Sequence, residues 1–296
     1  MLYLRAERHL EDAHHKFMLA QEAVNLVQSA VGDQLTDSAD IPVVRERVLR
    51  GLLGFHREFL RERSDDPILR RRAGDAWLRV GDIETWLGNF SNASEAFETG
   101  LKLLEELHAA HPKDRLCTFD LATGWKRRGI LYSQQGRYGE AEAAYRRARD
   151  LCQALLPLAP SHEPTIKLLG DCSNNLGNRL AARGAWAEAE EAFLQAIRLR
   201  EALVAADPHN QDYRLLSASV QHNLAGLEVR CGRWARAQER LQHNIQQQEH
   251  FMAGDAAAPS YRRQLAEAHR ELGFVLLYLN HPGPARQAIR KRGTLQ

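Results

Sequence analysis

The sequence contains few cysteines, few prolines and no long apolar run. Its 296 residues include 4 Cys and 10 Pro. The cysteines form no CxxC pair and no zinc-ligand spacing with histidine, so we expect reduced thiols and no metal. No window approaches the roughly 18 uncharged apolar residues of a membrane-spanning helix. Charged residues interrupt positions 1–12, where a signal peptide would need an apolar stretch, so we expect neither a membrane span nor secretion.

An excess of charge of either sign is also missing. The chain has 40 Lys and Arg residues against 38 Asp and Glu residues, which gives a formal net charge of +2. The local basic clusters, residues 126–128 and 290–292, contain no interleaved aromatic residues of the kind that stack on bases. We therefore expect no nucleic-acid partner and no attraction to a membrane surface.

The residues that are abundant favour helices. Apolar residues make up 44% of the chain, and Ala, Leu, Arg and Glu dominate the sequence, as in proteins built from packed helices. The predicted fold class is all-α.

A spacing of 48 residues recurs along the chain. Glycine stands at four of five equivalent positions, and alanine stands at all five positions of a second set. The two sets are Gly88, Gly136, Gly184, Gly232 and Asn280, and Ala93, Ala141, Ala189, Ala237 and Ala285. A fixed period of this length predicts a stack of identical supersecondary units, each too small to bury its own apolar face.

Each unit reads as two helices of about twenty residues joined by a tight turn at the recurring glycine. Five units follow one another within residues 68–296, and residues 1–67 are predicted to form helices that cap the array. The predicted unit boundaries are 70–114, 115–162, 163–210, 211–258 and 259–296. The second helix of the last unit is expected to span only residues 284–291, because Pro282 and Pro284 are expected to lie in the turn. This truncation predicts self-association, or a missing partner segment, at that end of the array.

The repeat resembles the tetratricopeptide repeat. Its second unit carries the fullest pattern, in Trp125, Gly129, Tyr132, Gly136, Tyr138, Ala141, Tyr145 and Ala148. The resemblance implies a right-handed α-solenoid of helix-turn-helix units that binds a protein or peptide in its concave groove and has no catalytic activity. No cofactor is expected.

A second resemblance is softer and covers nearly the whole chain. The joint ADPHNQDYRLL at residues 206–216, with LRAERHLEDA and AVGDQL near the start, is similar to the tails of bacterial Hanks-type serine/threonine kinases. The chain has no glycine-rich phosphate loop, no HRD with a downstream Asn and no DFG. It would thus be a non-catalytic regulatory or adaptor tail, either encoded separately or part of a larger kinase. The cytoplasm is its expected location, although a membrane-anchored parent kinase would allow another.

Candidate ligand-binding residues come from the predicted first helices, which line the groove in tetratricopeptide folds. Equivalent positions are basic in the first two units and rich in amides in the middle, which suits a peptide backbone with an acidic end. They are Arg79, Lys126, Arg127, Asn174, Asn175, Asn178, His222, Asn223 and Arg270. The other interpretation is that the asparagines only bond neighbouring helices. A clamp for a chaperone carboxylate does not match, because Glu267 and Glu271 or Ile130 occupy positions that it needs.

Two further classes of function stay open. A sensor of a short signalling peptide would use the same groove, and the peptide would tighten the superhelix. An enzyme of undetected type would need convergent acids or bases in a closed pocket. His14 with His15, and His108 with His111, lack the further ligands of a metal site.

Overall fold

The computed structural model describes residues 66–252 and 259–295, together with residues 50, 51, 53 and 54. Most of the predicted N-terminal helices, residues 1–67, therefore lie outside the described residues. The chain divides into two compact units, Met1–Arg137 and Tyr138–Gln296. Each unit is described by itself below.

The first unit contains three long helices in its described part, labelled α1, α2 and α3. They span Pro67–Trp86, Phe90–Ala110 and Arg115–Gln134. Its core includes Leu53, Val80, Ile83 and Ala96, all of them buried. The helices α1 and α2 pack closely, since a Cβ built on Gly100 would lie 2.9 Å from the carbonyl oxygen of Gly74.

The second unit contains seven α-helices in its described part, and one short 3₁₀ helix follows the first of them. In chain order they are α4 (Tyr138–Leu155), the 3₁₀ helix (Leu156–Leu158), α5 (Glu163–Ala182), α6 (Trp186–Ala206), α7 (Gln211–Arg230), α8 (Trp234–Met252), α9 (Pro259–Tyr278) and α10 (Pro282–Leu295). One apolar cluster joins α7, α8, α9 and α10 around Leu241, Leu265 and Val275. The sequence pattern predicts helices at 68–87, 91–110, 115–135, 139–157, 163–183, 187–206, 211–231, 235–253 and 260–279. The observed helices α1 to α9 agree with these bounds to within two residues.

The last helix is longer than expected. It spans Pro282–Leu295, 14 residues, where the sequence predicted about eight from Pro284. The prediction was wrong because it placed Pro282 and Pro284 in the turn. Proline is tolerated in the first turn of a helix, where its missing N–H would have no intrahelical acceptor.

The recurring glycines end the first helix of each repeat. Gly88, Gly136, Gly184 and Gly232 have φ between +71° and +87°, and Asn280 has φ +61°. In the first repeat the amide of Gly88 bonds the carbonyl of Thr85, and the amide of Asn89 bonds the carbonyl of Glu84. The same two bonds recur at all five glycine-equivalent positions, which is the Schellman pattern of a helix C-terminus. The residues that recur every 48 positions therefore mark the C-terminal end of the first helix of each repeat.

Candidate functional site

The first helices of the repeats, α1, α3, α5, α7 and α9, carry all nine candidate residues; we call them the A helices, and the second helices the B helices. In the second unit the candidates lie on α5 and α7, except for Arg270 on α9. Asn174, Asn175, Asn178, His222 and Asn223 are all half-buried. They form a row of polar side chains that we call the amide row.

Two members of the amide row bond each other across neighbouring A helices. Asn223 Nδ2 donates to Asn174 Oδ1 at 2.9 Å. The same offset of 49 residues brings His222 Nε2 to 3.0 Å from Glu271 Oε2. Residues 48 apart occupy equivalent positions and point in the same direction from their helices. The side chain that faces the preceding A helix is therefore one residue further along, about 100° around the helix axis. The interpretation that the asparagines bond neighbouring helices holds for this pair.

The other two asparagines have no internal role of this kind. Neither Asn175 nor Asn178 has a hydrogen-bond partner among the residues that the structure describes. Each amide offers two N–H donors and a carbonyl acceptor. Half-buried amides on one helix face, unused by the described chain, are able to bond an extended peptide.

In the first unit the candidate arginines are paired with aspartates. Arg79 Nε lies 2.9 Å from Asp75 Oδ2, one helical turn earlier. Arg127 Nε lies 3.2 Å from Asp82 Oδ2. Lys126 also lies close enough to Asp82 to act on its charge. The positive charge that the sequence predicted for this surface is therefore opposed by neighbouring carboxylates.

Burial makes these carboxylates harder to ionise. It raises the pKa of Asp82 above its ordinary value, despite the nearby Arg127, Lys126 and Arg79. It also raises the pKa of Asp120 to about 6, with a contribution from Asp75, although Arg71 Nη1 bonds Asp120 at 2.5 Å. The surface of the first unit is thus a partly buried network of mixed charge.

The last candidate, Arg270, is exposed on α9 and lies 2.5 Å from Glu267. With Glu271 opposite His222, this end of the second unit is acidic, as the presence of Glu267 and Glu271 in the sequence had indicated. The partners Asp75 and Glu267 were missed, although their spacings of four and three residues from an arginine are typical of helix ion pairs. Asp82 and Glu271 gave no such signal, because they pair between helices.

Among the described residues, no three His, Cys, Asp or Glu side chains come together as a set that could hold a metal ion. None of the described helices combines the length and apolarity that crossing a membrane requires.

Two segments match the family model of the tetratricopeptide repeat, residues 122–154 and residues 169–210. They include α6 complete, most of α3 and α5, and nearly all of α4. The chain carries tetratricopeptide repeats. This confirms the family resemblance read from the 48-residue period, and repeats of this family are scaffolds for protein interaction.

Solved structures agree on the fold. The chain is similar to BtubC (BKLC) from P. vanneervenii, with a TM-score of 0.65, 17% identity, and coverage of 88% of this chain and 91% of the other. It is also similar to the nearly identical TPR-like repeats of a putative kinesin light chain from Podosopora anserina, with a TM-score of 0.57, 14% identity, and coverage of 79% and 97%. The all-α repeat fold is thereby confirmed. No curated protein matches the sequence significantly.

Proposed function

We propose that the chain is a non-catalytic scaffold that binds an extended segment of a partner protein on the A-helix surface of its second unit. The observation that carries this proposal is the pair Asn175 and Asn178, two half-buried amides with no hydrogen-bond partner among the described residues. A peptide backbone presents one N–H and one C=O per residue, and an amide side chain can satisfy both. Recognition of this kind reads the backbone and tolerates varied side chains.

The fixed pair Asn174 and Asn223 supports the same assignment. Their mutual hydrogen bond holds the neighbouring helices α5 and α7 in register at the centre of the row. A rigid frame reduces the entropy that is lost when a ligand is ordered. Asn175 and Asn178 would then meet the peptide from a prearranged surface.

Charge is a secondary element of the proposed recognition. In the first unit the candidate arginines face Asp75 and Asp82, and in the second unit Glu267 and Glu271 lie near Arg270 and His222. An acidic peptide end would meet these carboxylates as well as the basic groups. We therefore propose a ligand segment that is close to neutral where it crosses the amide row.

The experiment selects peptides from a displayed random library on the whole protein and measures their affinity by calorimetry. The test variant is Asn175→Ala with Asn178→Ala, which breaks no internal hydrogen bond of the described structure. The matched control is Gln242→Ala with Gln246→Ala, two exposed amides on α8. The proposal expects selected peptides to lose at least tenfold in affinity to the test variant and nothing to the control. Equal affinity for all three proteins would contradict it.

A link to a serine/threonine kinase is the finer part of the proposal, supported by sequence resemblance. The joint at residues 206–216 ends α6 at Ala206 and starts α7, where Asn210 Oδ1 accepts from the amide of Tyr213. If the chain serves such a kinase, immobilised protein should retain protein kinase activity from a native extract, and the amide-row variant should lose it. Absence of kinase activity on both would remove the link and leave the scaffold proposal standing.

A further inference from the structure

A cavity of about 290 Å³ lies between the B helices α6 and α8, over α7. Its apolar walls include Val204, Ala205, Ala218 and Tyr261. Three buried amides also line it, Gln221 from α7 and Asn244 and Gln248 from α8. The rest of the polar lining is less buried and consists of Glu201, Arg214, Ser217, Gln247 and His250. The exposed fractions of the three buried amides are 5%, 1% and 4%, so all three are core residues by burial.

Two of the amides form a directed relay. Asn244 Nδ2 donates to the carbonyl oxygen of Ala218 at 3.0 Å. Because that carbonyl can only accept, Asn244 must present its nitrogen there and its oxygen to the other side. Gln248 Nε2 then donates to Asn244 Oδ1 at 2.9 Å. The relay leaves Gln248 Oε1 as a buried acceptor, with no partner among the described residues.

The third amide faces the same cavity from α7. Gln221 has no hydrogen-bond partner within the described ranges, so both its donor and its acceptor remain unused by the protein. A buried acceptor without a partner costs roughly 1 to 3 kcal/mol by protein mutational data. Gln248 Oε1 is such an acceptor, and the unused amide of Gln221 lines the same cavity, so a ligand that offers both an N–H and a carbonyl would meet both.

The repeat shows that one of these amides has no polar counterpart. At the position of Asn244 the earlier repeats have the small residues Gly100, Ala148 and Ala196. At the positions of Gln221 and Gln248 the third repeat also has buried polar residues, Ser173 and Arg200. The fourth repeat is therefore distinguished by Asn244, which orients Gln248 within the cavity.

We infer that this cavity binds a neutral carboxamide with a small apolar body. The amide N–H of such a ligand would donate to Gln248 Oε1, and its carbonyl and remaining N–H would bond the Gln221 amide. A carboxylate has no N–H to donate to Gln248 Oε1, so a ligand with an ionised acid end would leave that buried acceptor unpartnered. The volume suits a single side chain or a small molecule of similar size.

This site is separate from the amide row. Gln221 and Asn223 are two positions apart on α7, which is about 200° round the helix axis, so they point to different sides. The carboxamide could belong to a free molecule or to a glutamine side chain of a partner peptide. The chemistry is the same in both cases, and the test distinguishes the two.

The experiment titrates the isotopically labelled full chain with isobutyramide and follows the side-chain NH₂ signals of Gln221, Asn244 and Gln248 by NMR. Isobutyrate serves as the charged probe of the same shape. Gln248→Met keeps the length of the side chain and removes the acceptor, and Gln247→Met, an exposed neighbour at the rim, is the matched control. Ser217→Leu narrows the cavity from its half-buried wall, one helical turn before Gln221, and replaces none of the three amides.

We expect isobutyramide to shift the three side-chain signals of the wild type. Its affinity should be at least tenfold lower for Gln248→Met and for Ser217→Leu, and unchanged for Gln247→Met. Isobutyrate should bind at least tenfold more weakly than the amide. If the cavity binds N-acetylglutamine amide more tightly than isobutyramide, the natural ligand is a glutamine side chain of a peptide. If isobutyramide binds more tightly, the natural ligand is a small molecule. Unshifted signals at saturating probe, equal binding of isobutyrate, or full binding by Gln248→Met would each overturn the inference.

Discussion

Phe97 and Phe193 hold the helices of their repeats together by lying against a glycine of the A helix. A Cβ built on Gly81 would lie 2.7 Å from ring atoms of Phe97, and one built on Gly177 would lie 2.7 Å from ring atoms of Phe193. Both rings are almost completely buried. The absence of a side chain at Gly81 and Gly177 is what lets each ring reach the helix, so these glycines are packing residues.

Replacing Gly177 by alanine should therefore destabilise the second unit by about 1 to 3 kcal/mol, because Phe193 must leave its position. Gly226→Ala is the matched control, since Gly226 is also inside an A helix and its nearest neighbour would be 3.5 Å away. Alanine there should leave stability unchanged or raise it by up to about 1 kcal/mol through helix propensity. Urea unfolding measures both. If Gly177→Ala changed the free energy of unfolding no more than Gly226→Ala did, Phe193 would be able to move aside without cost.

His269 is a buried titratable residue of the last repeat. Its side chain is 3% exposed, and burial lowers its pKa although Glu249 lies 3.4 Å away and attracts the proton. Lys291 of α10, which lies 2.7 Å from Glu249, lowers the pKa further. The folded protein therefore keeps this imidazole neutral at a pH where the unfolded chain protonates it.

Stability should accordingly fall as the pH drops below about 6.5, the ordinary pKa of histidine, because only the unfolded state binds the proton readily. His269→Gln should remove this component. Between pH 7 and pH 5 the free energy of unfolding of the wild type should fall by roughly 1 kcal/mol more than that of the variant. Chemical denaturation at the two pH values measures the difference, and identical slopes would indicate that His269 is protonated in the fold.

At the scale of the element, one helix ending departs from the others. Asn280 takes the left-handed conformation that glycine takes in the other four repeats. Asparagine tolerates this conformation better than most residues but less well than glycine. Among the five helix endings, that of α9 therefore has the highest conformational cost for its positive φ.

The substitution Asn280→Gly should raise the stability of the second unit by up to about 1 kcal/mol, and Asn280→Ala should lower it by a similar amount. The two variants share the loss of the amide side chain and differ only in the backbone preference. Thermal unfolding followed by circular dichroism gives the comparison. A lower midpoint for Asn280→Gly would mean that the Asn280 side chain matters more than its backbone.

The sequence predicted these elements well because their signals are local. A glycine followed by the recurring alanine marks each turn, so the helices from α1 to α9 were located to within two residues. The start of α10 was missed because a proline signals a turn and a first helical turn equally well. Asn175 and Asn178 could be proposed from the repeat alone. The pairing of Asp82 with Arg127 and of Glu271 with His222 could not, because the side chains that meet depend on how neighbouring helices cross. The first pair is 45 residues apart and the second is 49 residues apart.

At the scale of the whole chain, the sequence has two kinds of A-helix surface. The first unit carries a network of mixed charge in which Asp120 has a pKa of about 6. The second unit carries the amide row, where the central polar groups are neutral. Ligand binding on the amide row should thus depend little on salt, whereas binding on the first unit should weaken as salt screens its charges.

The first unit also contains a carboxyl group with a raised pKa, that of Asp120. The carboxyl signal of Asp120 should titrate with a midpoint near pH 6, because burial opposes its ionisation. Since the folded pKa lies above the unfolded one, Asp120 reduces stability as the pH rises from about 4 to 6. Carbon-detected NMR of the carboxyl groups measures the midpoint directly. A midpoint near 4 would mean that Arg71 outweighs burial.

The measurement that tests the central claim most directly is an NMR comparison of the free protein with its complex with a library-selected peptide. The account predicts that the side-chain NH₂ signals of Asn175 and Asn178 shift and are protected from solvent exchange in the complex. Exposed amides on α8, Gln242 and Gln246, should not change. Changes confined to the B helices or to the first unit, with Asn175 and Asn178 unaltered, would contradict the assignment of the amide row as the binding surface.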